Sequence, residues 1–360
     1  VLKIMSRLEK ISGALKNRGW DAALITGGEN LCYATGFRGL EGMVFITADG
    51  KGFCHTDSRY IEAVTAAVAP RGYQVIQPED NYYVCAAKLA ERLGLHTVAF
   101  EDRVMPVAEY EKYKAQIACS LVPAGDLYEL LREIKEEEEV ANIVAAQRIA
   151  EAALHELLPR IRPGAVEREL AAELDYLMGK RGSEGVSFST IFVSGAKSSL
   201  PHGVPGDKKI EDGDFVTIDF GAMKNGYHSD MTRTFAVGHA TEEMKRVYDT
   251  VYRAQLAGIE ALAVGKPGRE VHNAAAKVIE DAGYGPYFGH GLGHSVGLNI
   301  HENPRAARTY EPAFKLGNII TMEPGIYLPG KFGVRIEDMV YLAPEGKRNL
   351  TEFPKELTIL

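Results

Sequence analysis

Long apolar runs are missing from this sequence. No stretch approaches 18 consecutive apolar residues, so no membrane-crossing helix is expected. The opening "VLKIMSRLEKISGALKNRGW" mixes charges into an amphipathic pattern and lacks the continuous apolar core of a secretory signal. Basic excess is missing as well: 41 lysines and arginines stand against 49 aspartates and glutamates, a net charge of −8, which argues against a nucleic-acid partner. Cysteine is scarce. Cys32, Cys54, Cys85 and Cys119 all fall in the first third without a CxxC pair, and read as buried free thiols rather than disulfides or a cysteine metal site. These absences together point to a cytoplasmic protein that binds neither membrane nor nucleic acid.

What is present is enough for two cores. At 360 residues, 46% hydrophobic and 25% charged, the chain has the composition of an ordinary globular protein and the length of two domains. The first 125 or so residues alternate strand-like runs ("AALIT", "GMVFIT", "GFCHT", "YQVI", "HTVAFE") with helical patterns near Arg7 to Arg18, "SRYIEAVTAAV" and "VCAAKLAERLG", an α/β reading. A charged helical stretch from Asp126 to Gly164 follows. Its Glu136 to Glu139 run suits a helix N-terminus, because an apolar-periodic segment comes next. The domain boundary is placed just before this stretch, giving domains 1–127 and 128–360. A second helix after Pro163 has Val166, Leu170, Leu174 and Leu177 on one stripe, as core packing requires.

The most informative feature is an internal repeat. "GDFVTIDFG" from Gly213 and "GNIITMEPG" from Gly317 match at an offset of 104 residues, and each strand carries one carboxylate, Asp219 and Glu323. Burying an ionised carboxylate among such neighbours is costly unless it is paired or metal-bound. The "KNGY" segment between Asp219 and Asp230 is a hairpin signal. A turn at Asn225 and Gly226 sets Asp219 opposite Thr232 with Asp230 on the diagonal; a turn at Lys224 and Asn225 sets the two aspartates face to face. Both registers leave them roughly 5 to 8 Å apart on one face, where like charges repel unless a cation intervenes. The second copy supplies Glu323 and Glu337. Any one of these acids alone would pass as a salt bridge or turn cap. Four of them at repeat-related positions, Asp219 with Asp230 in one copy and Glu323 with Glu337 in the other, suit one or two hard-to-borderline divalent ions.

Three of the ten histidines lie in "GHGLGHSVGLNIHE", residues 289–302, and His202 lies in "SSLPHG". Gly289, Gly291, Gly293 and Gly297 argue against a helix there, so the His290 and His294 spacing is not that of a helical zinc motif. In extended chain the two rings would lie about 13 Å apart, too far to share an ion. One histidine as a ligand and others as acid or oxyanion donors is the division expected.

The segments "NLCYATGF", "TDSRY", "SLPHG", "VTIDFGAMKNGYHSDMTRTF", "FGHGLGHSVGLNIHE", "TMEPGIY" and "GVRIED" resemble those of the pita-bread metallopeptidases, specifically the Xaa-Pro dipeptidase (prolidase) and Xaa-Pro aminopeptidase group. The resemblance implies an α/β (α+β) chain: a creatinase-like N-terminal domain followed by a pseudo-two-fold pita-bread catalytic domain. It implies a dinuclear centre held by Asp219, Asp230, His294, Glu323 and Glu337, with Asp230 and Glu337 as the bridging or near-bridging acids, manganese as the first choice of ion and cobalt, zinc or iron as others. It further implies that His202, His290 and His301 line the substrate site. Glu323 would shuttle the proton between a metal-bridging hydroxide and the leaving nitrogen, Arg335 would sit behind the ligands, and Arg305 would anchor a substrate carboxylate. Either arginine would also fit an ordinary ion pair. The substrate would be a proline-containing di- or oligopeptide and the assembly a homodimer. Three other readings are an inactive interaction module on this fold, a metal-free creatinase-like hydrolase and a methionine-aminopeptidase-like hydrolase. The first two predict missing ligands, and the third normally lacks this N-terminal domain.

Overall fold

The computed structural model describes residues 5–360 and divides into two compact units, one running through Arg132 and one from Glu133 to Leu360. The first unit contains α1 (Arg7–Arg18), β1 (Ala22–Ile25), α2 (Gly28–Thr35), β2 (Gly42–Thr47), β3 (Gly52–Thr56), α3 (Ile61–Val68), β4 (Tyr73–Ile76), α4 (Tyr82–Arg92), β5 (Thr97–Phe100), α5 (Val107–Gln116), β6 (Ser120–Pro123) and α6 (Leu127–Arg132). Its six strands form one mixed sheet in the order β4-β3-β2-β1-β5-β6. α1 starts where Ser6 and Glu9 cap each other reciprocally and stops at Gly19, whose φ of 70° only glycine adopts readily. Every strand and helix expected in this unit is present. Three further elements, α2, α5 and β6, carry no periodic signal: α5 buries only Tyr113, and β6 only half-buries its central residues.

The stretch from Asp126 to Gly164, which reads as one charged helical run, is broken. α6 ends at Arg132 inside the first unit, where the Arg132 guanidinium donates to Asn30 Oδ1 at 3.0 Å. The next helix, α7 (Glu137–Leu157), starts on a capping box made by Glu136 and Glu139, the N-terminal role expected of the glutamate run. The compact units therefore divide after α6, a few residues beyond the boundary read from sequence.

The second unit repeats one plan twice. In the first copy α7 and α8 (Glu167–Lys180) cover β7 (Ile191–Ser194), β8 (Phe215–Phe220) and, after the short ladder of β9 (Met223–Lys224) and β10 (Tyr227–His228), β11 (Met231–Ala236). In the second copy α9 (Glu242–Ala261) and α10 (Gly268–Asp281) precede β12 (Gly293–Ser295), β13 (Glu302–Ala306) and β14 (Ile319–Met322). β15 (Gly325–Leu328) and β16 (Phe332–Arg335) then lead to β17 (Asp338–Ala343) and β18 (Gly346–Asn349). Each copy has its own core. Leu154, Leu174, Phe192 and Ile218 meet in one, and Val251, Ala275, Leu292 and Ile320 in the other. The glycines that open the two repeat strands share a backbone conformation, with φ of 84° at Gly213 and 87° at Gly317.

Asn225 and Gly226 form the two-residue turn, with φ of 49° and 79° as a type I′ hairpin requires. This fixes the first of the two registers considered above: Asp219 pairs with Thr232, and Asp230 is diagonal to it. The second copy differs. β14 ends at the pair Met322–Asp338, and the next residues outward are Glu323 and Glu337. Thr232 thus holds in the first copy the register position that Glu337 holds in the second, so the repeat relates Asp219 to Glu323 but not Asp230 to Glu337.

Where β12 crosses β14 the backbones touch, and a Cβ on Gly293 would collide with the Thr321 carbonyl; at Gly289 it would meet nothing. Gly293→Ala is therefore expected to destabilise the protein by about 1–3 kcal/mol in urea denaturation, and Gly289→Ala by less than about 0.5 kcal/mol.

Candidate metal centre and active site

Four carboxylates converge where the two copies meet. Asp219 comes from β8, Asp230 from the residue before β11, Glu323 from the residue after β14, and Glu337 from the residue before β17. His294, the middle residue of β12, joins them. Donor atoms of Asp230, His294 and Glu337 all lie within 4.8 Å of one another. His294 Nε2 is 3.6 Å from Asp230 Oδ2 and 3.4 Å from Glu323 Oε1. Asp219 reaches the group through Arg335, whose Nη2 donates to its Oδ2 at 2.6 Å.

This concentration of acid is unstable as it stands. Burial, then the charges of Asp219 and Glu323, hold the Asp230 carboxyl well above the usual range. Burial, then Asp230, Glu323 and Asp219, do the same to Glu337. Burial lifts Glu323 to about 8 despite the opposing Arg335. Two buried carboxylate oxygens, Asp219 Oδ1 and Glu337 Oε1, have no hydrogen-bond partner. Orphaned acceptors in a cluster of carboxylates with one imidazole are what divalent cations satisfy, and the residues present fit such ions.

His294 has the protonation of a ligand. Burial pulls it down to about 4, so it is neutral near pH 7. Its Nδ1 lies 3.1 Å from its neighbour's carbonyl, Ser295 O, and donates there, which leaves the Nε2 lone pair facing the carboxylates. Thr321 Oγ1 accepts from His294 N at 3.0 Å and donates to Glu323 Oε1 at 3.3 Å, tying ligand strand to ligand strand. Thr232 Oγ1 donates to Glu337 Oε2 at 2.8 Å and accepts from Arg335 Nε at 3.0 Å.

The remaining histidines occupy different places. His301 is exposed, with its ring 4.4 Å from that of His294, and burial and Arg305 lower its basicity. His202 is exposed and follows Pro201, whose carbonyl accepts from Arg335 Nη1 at 3.3 Å. His290 is engaged at both nitrogens, at 2.7 Å to Gly291 O and 3.0 Å to the Tyr327 hydroxyl. With Nδ1 donating to the carbonyl, Nε2 accepts from Tyr327, so a substrate role for His290 requires that second bond to be exchanged. Arg305 is exposed on β13, paired in register with His294. Arg335, by contrast, is buried and spans Asp219, Thr232, Tyr327 and Pro201.

Sequence reasoning missed Tyr327, Thr321 and the hydroxyl role of Thr232. A signal existed for Thr321, since the repeat places a threonine two residues before each acid, at Thr217 and Thr321. Only the second copy applies it to the site; Thr217 pairs with Thr234.

A mixed-sheet N-terminal unit, a twice-repeated C-terminal unit and an acid cage with one imidazole define a metallohydrolase of the pita-bread type. The profile of metallopeptidase family M24 matches residues 141–344, and that of the creatinase/prolidase N-terminal domain matches residues 7–134. The chain belongs to metallopeptidase family M24. An Xaa-Pro dipeptidase from Pyrococcus furiosus is 37% identical over 98% of this chain and 99% of its own. Among solved structures, an Xaa-Pro dipeptidase from Bacillus anthracis is 39% identical with a TM-score of 0.94, covering 98% of this chain and 99% of that one. An X-Pro aminopeptidase from Thermotoga maritima is 33% identical with a TM-score of 0.91, covering 96% and 99%.

A carboxyl with a raised folded-state pKa holds its proton more tightly folded than unfolded, so its contribution to stability is full at low pH and is lost as pH rises. For Glu323 the loss spans its ordinary value of 4.5 to about 8. Thermal melting of metal-free protein is expected to fall across that window, and Glu323→Gln to flatten the fall.

Proposed function

We propose that the protein is a dinuclear-metal exopeptidase that hydrolyses the bond between an N-terminal residue and a following proline, with Xaa-Pro dipeptides as preferred substrates. The observation that carries this reading is the buried cage of Asp219, Asp230, His294, Glu323 and Glu337 with its two unpartnered carboxylate oxygens. The relatives named for Xaa-Pro cleavage match it along nearly their whole length.

Two divalent cations bound in such a cage supply Lewis acidity and make water nucleophilic near neutral pH. The protein does the rest. The five side chains hold the ions, and neutral His294 contributes a lone pair rather than a charge. Glu323, whose Oε1 lies 3.4 Å from His294 Nε2, takes the proton from the attacking water and delivers it to the departing proline nitrogen. His301 and His202, both exposed, bind the substrate side and donate to the carbonyl oxygen as it gains charge. Arg335 holds Asp219 in place through its hydrogen bond to Oδ2, and fastens the His202 turn through Pro201. An Xaa-Pro bond is a tertiary amide with no N–H, so a site that offers no acceptor to that nitrogen selects it over ordinary peptide bonds. Arg305, one strand from His294, supplies the cation that a dipeptide's terminal carboxylate requires.

Manganese is the ion of choice for a donor set of four carboxylates and one imidazole, with cobalt, iron and zinc as competitors. The scarcity of cysteine and the lack of a CxxC pair agree with a cytoplasmic setting, and the family resemblance supports a homodimer.

Metal-loaded enzyme is expected to release proline from Xaa-Pro faster than it cleaves Xaa-Pro-Yaa; release from neither would sink the peptidase reading. Arg305→Ala should raise KM for the dipeptide about 10- to 100-fold, as loss of a charged hydrogen bond predicts, and leave the longer peptide little changed. His294→Ala should lose metal by elemental analysis. His301→Ala should keep its metal and lose kcat by about 100-fold or more.

A further inference from the structure

Outside the cage lies a buried charge pair, made by Lys135 and Glu302, that the chemistry above does not use. The Lys135 side chain is 1% exposed and the Glu302 side chain 7%, with Nζ and Oε2 3.0 Å apart. Nζ also donates to Ser295 Oγ at 2.8 Å. We propose that Lys135 is a positioning residue, which through Ser295 and Glu302 fixes the loop that presents His294 and His301 to the metal centre. This rests on the reading of His294 as a metal ligand.

The loop needs such a fixture. The β12–β13 ladder shifts register between His294 and Ser295, so regular pairing is lost immediately after the ligand. Ser295 is the residue whose carbonyl accepts from His294 Nδ1 and sets the ring's orientation. Glu302 directly follows His301 in sequence, and its Oε1 accepts from Asn299 N at 3.0 Å. The Glu302 carboxylate lies beneath Gly297, where a Cβ would come within 2.6 Å of it. A single ammonium therefore grips both ends of the loop from inside.

Lys135 is itself anchored. Its backbone N–H donates to Gly317 O at 2.9 Å, on the turn that opens β14 and leads to Glu323. Two residues earlier, Glu133 is held to the same turn by Lys315 Nζ at 2.6 Å and Asn318 Nδ2 at 2.9 Å. The lysine thus refers the His294–His301 loop to the strand carrying Glu323. Stability does not demand an ion pair at this spot, because apolar residues of similar volume pack as well or better. What the pair adds is direction.

The test compares Lys135→Met/Glu302→Gln and Ser295→Ala with wild type and His294→Ala, all loaded with Co2+. The double variant removes both charges of the pair, and its glutamine oxygen still accepts from Asn299. Expected for it are a melting temperature within a few degrees of wild type, Co2+ affinity by chelator competition reduced about 10- to 100-fold, an altered visible Co2+ spectrum, and kcat reduced more than KM changes. Ser295→Ala keeps the ion pair but unlinks it from β12, and is expected to move affinity and spectrum the same way by a smaller factor. If the double variant does not fold, Ser295→Ala decides alone. Wild-type Co2+ affinity and spectrum in the folded variants would overturn the positioning role. Retention of Co2+ with an unchanged spectrum in His294→Ala would instead overturn the ligand assignment, so the two failures are told apart.

Discussion

Mutual repulsion among Asp219, Asp230, Glu323 and Glu337 is the constraint to which the second unit answers. Four carboxylates in so small a buried volume oppose folding by several kcal/mol apiece unless something positive or hydrogen-bonding meets them. The protein supplies part of that compensation. Arg335 meets Asp219, the Thr232 hydroxyl meets Glu337, and the Thr321 hydroxyl meets Glu323. It withholds the rest, leaving one oxygen each on Asp219 and Glu337 unsatisfied. The two separate cores, each with its own helix pair, allow such a site to exist at the junction without either layer collapsing onto it.

The strands carrying the acids are supported from behind by a second network. Arg233, among the largest fully buried side chains, donates to the Glu337 and Thr232 carbonyls and pairs with Asp338 at 2.8 Å. Asp338 also accepts from Gln255, Asn349 and Lys355, while Arg233 reaches the Phe353 and Pro354 carbonyls. With these partners, chiefly Arg233 and Lys355, Asp338 stays ionised below the usual carboxylate range although it is buried. Neighbouring acids in sequence, Glu337 and Asp338, are thereby held in opposite electrostatic states, one crowded by anions and the other surrounded by donors.

Much of this was legible in the sequence because it rests on local rules. The α1 cap, the Asn225–Gly226 turn and the apolar strands around Asp219 and Glu323 are written in adjacent residues, and the 104-residue offset exposed the duplicated plan. What escaped depends on long-range contact. Tyr327 acquires its place only when β15 brings it between His290 and Arg335. Arg233 in "MTRTF" looks like a solvent-facing strand residue until the C-terminal segment covers it. The expectation that both acid pairs were repeat-equivalent failed for the same reason: β11 and β17 meet their partners in registers that no local pattern encodes. The helix boundary between α6 and α7 was hidden because charge and apolar spacing continue smoothly across it.

The exchange of threonine for glutamate at one register position makes the two copies unequal partners. Thr232 donates to the very residue, Glu337, that occupies its counterpart's place. The cage therefore has a built-in polarity, and its two ends are not interchangeable.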